Sequence, residues 1–389
     1  MTTLGAAILV LGVLILVHEL GHFFAARSVG VRVDRFSIGF PPRLITLTSV
    51  GNGWNFKLFF YKRDDSGNLV WGPIKESVLS VEGRVGSGTE YCLALIPFGG
   101  YVKMAGTIDE SLDPNIKNKP YELMSKSRLA QTWVMSAGIL MNIVLAFILF
   151  TGIVWNTGLP EASDEPIVHE IVPDLPADKA GLKIGDRITA IDDVVITSWT
   201  ELSGIIQQLP NTEIDLEWES GGIVQEKTIT TFFQINPANG DTLGAIGVWP
   251  EIFYNPINFQ TAVTMGFVQT VNGFGMIVNT LRMLFSGQAS PKELGGPIMI
   301  AQLAGQFAER GWTDLFYFMA LISVNLAFIN LLPIPGLDGG HIFITLIEGT
   351  IRRPLSVKTR MLIQQVGMVF LLLIMATVLF NDFSRLLGN

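Results

Sequence analysis

Cysteine is almost missing from this sequence: Cys92 stands alone among 389 residues. A single thiol closes no internal disulfide, and no cysteine pair or cluster is present to hold a structural metal. Charge is sparse too, with 15% charged residues against 49% hydrophobic ones. That balance argues against a set of soluble cores and reads as a membrane protein. The formal net charge of -8 is spread unevenly, which bears on topology and lends nothing to nucleic-acid binding. No inverted repeat shows in the hydropathy, which speaks against a transporter.

Four long apolar runs are present, at residues 4–26, 129–155, 315–337 and 361–380, each near the ~20 residues a helix needs to cross hydrocarbon. No Lys or Arg precedes the first run, whereas Arg27, Arg32 and Arg35 follow it, so a retained helix is expected rather than a signal peptide. Arg43, Lys117, Lys119, Lys126 and Arg128 add to the basic side shared by the first two spans, and the positive-inside rule makes that side cytoplasmic. Arg352, Arg353, Lys358 and Arg360 put the loop between the third and fourth spans inside as well. The stretch with Glu161, Asp164, Glu165, Glu170, Asp174 and Asp178 is then outside, as are both termini. Residues 257–281 are uncharged and long enough for a fifth span, but Thr264, Gln269, Asn272 and Asn279 are scattered through them. An amphipathic helix on the outer leaflet is the economical reading there, because a fifth crossing would move the basic loop at Arg352 outside.

The chemistry is concentrated in the first run. His18-Glu19-Leu20-Gly21-His22 sets two imidazoles four residues apart on one helix face, a spacing that binds one Zn²⁺ and leaves Glu19 free as general base. Chance occurrences of this motif are common on soluble surface helices. Inside a membrane span the alternative weakens, since a charged residue at helix centre costs roughly 2.5–3.5 kcal/mol on insertion scales. Zinc binding, on the order of 10–16 kcal/mol in small peptides, offsets that cost. Catalytic zinc takes three protein ligands and keeps one position open, so a third donor must come from elsewhere. His169 reads as a surface residue, which leaves Asp338 and His341, both in the run 330–341 at the end of the third span. Pro333 and Pro335 break the helix there, and the following glycines allow close backbone packing, so Asp338 is able to turn toward a metal. Its alternative role is a helix cap.

Three stretches together resemble the site-2 protease family of intramembrane zinc metalloproteases, in its bacterial RseP-type branch, peptidase family M50: the His18–His22 motif, residues 96–104 (Ile-Pro-Phe-Gly-Gly-Tyr-Val-Lys-Met) and residues 330–341. Glu293-Leu-Gly-Gly-Pro297 and residues 380–385 extend the likeness. The resemblance implies His18, His22 and Asp338 as zinc ligands, Glu19 as base and His341 as a packing or supporting residue. It also matches a Gly-x-x-x-Asn element to Gly138 and Asn142, and third-helix asparagines to Asn325 and Asn330. These asparagines either position substrate or steady an oxyanion, or hydrogen-bond between helices. Residues 166–230 are similar to a PDZ domain, with 175–187 the telling stretch; such a module either binds peptide termini or acts as a steric filter. Room for one such domain, Ile139 where the family shows proline, and a long 46–88 loop with an expected hairpin and a turn at 64–68 are departures from the family pattern. The resemblance implies that a sheet built from residues 36–40 and 91–104 holds an unwound substrate along an exposed edge strand; the alternative is a cytoplasmic hairpin with no such role.

The expected architecture is a polytopic α-helical membrane protein with about four transmembrane helices, a membrane-associated β-hairpin or sheet, and one extracytoplasmic α+β PDZ domain. Its divisions are residues 1–128 with the first span and the β region, 129–157 with the second span, 158–250 for the PDZ domain, 251–311 for amphipathic surface helices, and 312–389 for the last two spans with the Leu-Asp-Gly motif. By resemblance the activity is zinc-dependent endopeptidase cleavage of single-pass membrane helices, such as anti-sigma factors or remnant signal peptides, in the lipid bilayer of the bacterial inner membrane. A water held by the zinc and deprotonated by Glu19 is the expected nucleophile. A rival reading is a non-catalytic scaffold, and Glu19 beside the ligands speaks against it, because a structural metal needs no base.

Overall fold

The computed structural model describes residues 2–63, 66–81, 86–107, 119–235, 241–288, 290 and 295–387, without the side chain of Phe98. Asp64 and Asp65 of the expected turn, Lys117 of the basic flank, and Glu293 of the motif ending at Pro297 lie outside the described residues. The chain divides into two compact units, one made of Met1–Phe150 with Ser290–Asn389 and the other of Thr151–Ala289.

The first unit opens with helix α1 (Thr3–Ser28), started by the Thr2 hydroxyl, which accepts from the Gly5 N–H at 3.2 Å. Strands β1 (Val33–Val50), β2 (Gly53–Arg63), β3 (Leu69–Ser80) and β4 (Glu90–Met104) follow. Their sheet order is β3-β2-β1-β4, yet the register shows that β1 and β4 are each bent into two arms that interleave. Arg35, Phe36, Ser37 and Ile38 pair with Lys103, Val102, Tyr101 and Gly100 on one side and with Glu90, Tyr91, Cys92 and Leu93 on the other. The second arm of β1 then pairs with 90–94, as in Thr46–Cys92 and Leu47–Tyr91, and with β2. Gly99, at φ +144°, makes the bend in β4 workable: a Cβ there would sit 2.1 Å from the Phe40 ring. The outcome is that 100–104 forms the free edge. Helix α2 (Arg128–Thr157) returns along α1, and the two approach so closely at Gly21 that a Cβ would lie 2.4 Å from the Ala137 carbonyl oxygen. Phe23, Val31, Phe36, Leu123 and Val134 fill the core between sheet and helices.

The second unit holds β5 (Leu159–Ala162), β6 (Glu170–Ile171), α3 (Pro176–Ala180), β7 (Arg187–Ile191), β8 (Val194–Val195), α4 (Trp199–Gln207), β9 (Glu213–Ser220), β10 (Ile223–Thr230), β11 (Phe232–Ile235), β12 (Thr242–Ala245), β13 (Val248–Trp249) and β14 (Ile252–Asn255). Strands β10-β9-β7-β8 make the main sheet. The strands expected at 187–191 and 215–219 are β7 and β9, and the expected helix at 199–209 is α4. Alternation along β9 buries Ile214, Leu216 and Trp218, and these pack with Val168, Ile188, Leu202 and Ile246 into one core. Between α4 and 243–250 lies a groove of about 420 Å³ lined by Leu175, Trp199, Leu202, Ile206 and Leu243. Helix α5 (Phe259–Phe285) ends the unit, packed at Gly266 against the hydroxyl and main chain of Thr151.

The first unit resumes with α6 (Pro297–Arg310), α7 (Trp312–Leu331), α8 (Asp338–Ile351) and α9 (Val357–Leu386). Two motifs noted in the sequence meet here: the Asp382 carboxylate accepts from the N–H groups of Gly296 at 2.9 Å and Ile298 at 3.0 Å, capping α6 from across the fold. The third apolar run is not one helix to residue 337. Pro333 and Pro335 cannot continue a helical hydrogen-bond ladder, so α7 stops at Leu331 and α8 starts at Asp338. Among the described residues α1, α2, α5, α7 and α9 are long and apolar enough to cross a membrane, α5 being the least apolar, with a mean hydropathy of 1.2 against 2.4 for α2.

Candidate metal centre

Helix α1 carries His18, Glu19 and His22 on the side that meets α2 and the sheet, and both imidazoles are buried. Across from them α8 begins at Asp338 directly after the proline turn. Close packing makes this turn possible: a Cβ on Gly339 would meet the Leu332 carbonyl oxygen at 2.3 Å, and one on Gly340 the Ile334 oxygen at 2.3 Å. The N-cap of α8 is Leu337, with Asp338 next in the first turn, and Asp338 Oδ2 has no hydrogen-bond partner. Instead Asp338 Oδ2 lies 3.1 Å from His18 Nε2 and 3.3 Å from His22 Nε2, and the two nitrogens are 3.2 Å apart.

Those three edges match one face of a metal tetrahedron, since ligands about 2.0–2.1 Å from zinc are about 3.3 Å apart. The electronic state of the donors agrees. His22 Nδ1 is 2.8 Å from the Val134 carbonyl oxygen, a contact that requires the proton on Nδ1 and leaves a lone pair on Nε2. Asp338 Oδ2 is buried and makes no hydrogen bond of acceptable geometry. A bare imidazole nitrogen and a carboxylate oxygen turned to the same point repel unless a cation lies between them. The residues therefore fit a divalent metal, and His18, His22 and Asp338 are the group of three suited to it among the described residues.

The surroundings brace the donors. Asn142 is fully buried on α2, with its amide nitrogen 3.3 Å from His18 Nδ1 and its Oδ1 without a partner. Were Nε2 to hold a metal, His18 Nδ1 would carry a proton and need an acceptor, which the Asn142 amide would supply with its oxygen and nitrogen exchanged. The main-chain oxygen of Asn142 in turn accepts from the Ser323 hydroxyl at 2.8 Å. One turn earlier on α2, Gly138 faces the imidazoles so closely that a Cβ would sit 2.5 Å from His22 Nε2 and 2.7 Å from His18 Nε2. His22's carbonyl partner carried no sequence signal, being main chain.

A cavity of about 630 Å³ opens on this centre, lined among others by Glu19, Tyr101, Val102, Asn330, Asp338 and His341. Glu19 thus shares a cavity with the metal donors without being one of them. His341 lines it from α8 but stands outside the group of three. Asn330 lines it as well, whereas Asn325 is half-buried on α7 away from the lining. The free edge at 100–104 borders the same space, and a Cβ on Gly100 would be 3.6 Å from Glu19 Cγ. Cys92 offers no competing nucleophile, because burial pushes its thiol above the ordinary range.

The sequence matches the profile of Peptidase family M50 over residues 6–67 and 77–374. The chain belongs to peptidase family M50. A Clostridium perfringens protein whose name describes it as a candidate zinc metalloprotease is 32% identical over 97% of each chain, and a Nostoc protein named in the same way is 33% identical over 94% of this chain and 92% of its own. The regulator of sigma-E protease RseP of Escherichia coli is 28% identical over 98% of each chain. Among solved structures, the PDZ domain of an SdrC-like protein from Listeria monocytogenes is similar to 23% of this chain and 88% of its own length, at 22% identity and a TM-score of 0.19. The M50 profile leaves residues 68–76 unmatched, within the hairpin noted for its length.

Proposed function

We propose that this M50 peptidase is a zinc-dependent endopeptidase that hydrolyses peptide bonds in single-pass membrane helices within the bacterial inner membrane, with His18, His22 and Asp338 holding the metal and Glu19 acting as general base. The observation that carries the reading is the convergence of His18 Nε2, His22 Nε2 and Asp338 Oδ2 within 3.3 Å of one another, in a cavity that also holds a carboxylate with no place among the donors. When bound, zinc supplies Lewis acidity to the scissile carbonyl and to the attacking water.

Glu19 takes the proton from that water and returns it to the departing amine, so its carboxylate ends the cycle as it began. A transmembrane helix hides its amides in its own hydrogen bonds, so it must be unwound locally before attack. The edge at 100–104 has no further strand beside it among the described residues, which suits the pairing of an extended segment next to Glu19. Asn142 and the Val134 carbonyl keep the two imidazoles in the tautomer that presents Nε2. Asn330 is the one third-helix asparagine that lines the cavity, which supports a substrate-positioning role there. The second unit is read as a PDZ domain outside the membrane, both termini being outside too. Its apolar groove suits a peptide terminus, and the polar residues of α5 support a helix resting on the outer leaflet. Relatives named for regulating sigma-E support membrane-anchored anti-sigma factors as substrates, with leftover signal peptides as the second class.

The test is Glu19→Gln in the full chain, reconstituted with a model transmembrane substrate. Zinc is expected to stay bound while cleavage falls by 100-fold or more, the range general acid–base catalysis supplies. Unchanged turnover would remove Glu19 from the mechanism.

A further inference from the structure

A second buried charge cluster lies away from the metal centre and plays no part in the chemistry above. Glu348, near the far end of α8, is 2% exposed. Its Oε1 accepts from Arg360 Nε at 2.9 Å and from the Leu355 N–H at 2.8 Å. Its Oε2 faces Arg360 Nη2 at 2.5 Å and Arg128 Nη1 at 3.2 Å. Arg128 is the first residue of α2 and Arg360 belongs to the first turn of α9, so one carboxylate ties the ends of three helices together. The fork of Arg360 on the carboxylate is bidentate, the geometry that fixes direction as well as distance.

The three helices are those that frame the metal donors. Helix α8 starts with Asp338, and α2 carries Asn142 and Gly138 against the imidazoles. Helix α9 runs from Arg360 past Gln364, which lines the catalytic cavity, to Gly367, where a Cβ would lie 2.0 Å from the Pro335 carbonyl oxygen. Asp338 lies at one end of a short rod whose near end turns on two glycines and whose far end is gripped at Glu348. The grip acts over a lever of about 15 Å, and a ligand atom serves a metal only within about 0.2 Å of its place. A small tilt of α8 is enough to carry Oδ2 away from the imidazoles.

We propose that Glu348, clasped by Arg360 and Arg128, is a positioning residue for metal binding: it sets the direction of α8 and so holds Asp338 Oδ2 at His18 and His22. The proposal rests on the reading of these three residues as the metal ligands. Its test uses the full chain in detergent, loaded with zinc and, in parallel, with cobalt, whose visible absorption reports coordination geometry. For Glu348→Gln, which keeps size but loses the charge-assisted fork, the chelator concentration that removes half the zinc is expected to fall at least tenfold. The cobalt spectrum is expected to shift toward that of Asp338→Ala. Glu348→Asp, which keeps the charge on a shorter arm, is expected to recover part of both.

A folded Glu348→Gln protein with the wild-type chelator curve and cobalt spectrum overturns the proposal. Should that variant not fold, Arg360→Lys, which keeps the charge and removes the fork, is read in the same way, and an unmoved spectrum there overturns it too. Wild-type protein and Asp338→Ala separate the two readings. If Asp338→Ala binds cobalt as the wild type does, the ligand assignment fails; if it does not and Glu348→Gln does, the clasp alone fails.

Discussion

Replacing Gly138 by alanine adds one methyl group at the most crowded point of the metal centre. The added carbon would stand 2.5 Å from His22 Nε2 and 2.6 Å from His18 Cε1, whereas ordinary contact begins at 3.4 Å, so the rings must retreat by about 0.9 Å. That retreat is several times the ~0.2 Å within which a ligand still serves its metal. Moving α1 bodily away does not rescue the geometry, because it opens the 2.8 Å bond between His22 Nδ1 and the Val134 oxygen on the same face of α2. Helix propensity works in the opposite direction, since alanine favours a helix over glycine by about 1 kcal/mol. The substitution therefore separates folding from metal binding: α2 is expected to hold while zinc affinity falls by more than the 10–100-fold typical of changes to a ligand's support. Elemental analysis of purified protein across a chelator series reads the affinity, and thermal unfolding of the metal-free protein reads the fold. Stoichiometric zinc retained at wild-type chelator concentrations would show that the imidazoles do not bind where the geometry puts them.

Two other substitutions probe the same centre. Asp338→Ala is expected to lower zinc retention by 100-fold or more with the fold intact, while His341→Ala leaves retention within a few-fold, since its ring lines the cavity without joining the donors; the same elemental analysis decides, and loss of zinc in the histidine variant would reverse the assignment. Asn142→Ala removes the acceptor for His18 Nδ1–H and is expected to cost 10–100-fold in metal affinity, whereas Asn142→Asp keeps an acceptor and retains the metal, a pair of outcomes that a purely interhelical role for Asn142 would not produce.

How much of this was legible in the sequence depends on whether the determinant is local. The His18–His22 pair follows from helical periodicity, and Glu19 from its place between them. The strands at 187–191 and 215–219 announced themselves by alternation. Asp338 and His341 remained equal as third-ligand candidates on residue type and position, because the direction of a side chain after a double-proline turn is set by what Gly339 and Gly340 pack against. The interleaved arms of β1 and β4 were not legible, since each reads as one long strand and the bends at 39–42 and 96–99 matter only once the pairing is known. The carbonyl of Val134 and the clasp at Glu348 were invisible for a related reason. A main-chain atom has no sequence signature, and a lone glutamate on an apolar helix reveals its partners only when helices far apart in the chain are brought together.

The third donor's chemistry has a reason beyond geometry. A divalent cation held by two neutral imidazoles and a third imidazole, with Glu19 ionised nearby, would leave a net charge of about +1 in a buried site, where an uncompensated charge costs several kcal/mol. With a carboxylate as third donor, the charges of Asp338 and an ionised Glu19 would balance a divalent metal, and the resting site would be neutral. A proton passed from the attacking water to Glu19 would move within the site, so the sum would stay at zero while negative charge shifts from the carboxylate toward the scissile carbonyl, where a divalent cation would be placed to meet it. The same accounting explains why Glu19 stands apart from the three donors: bound to the metal, it would keep the neutrality but lose the lone pair with which it takes the proton. On the proposed ligand set, a helix with two histidines and a glutamate in one turn would be tolerable in a membrane because α8 brings the one further charge that makes the sum zero.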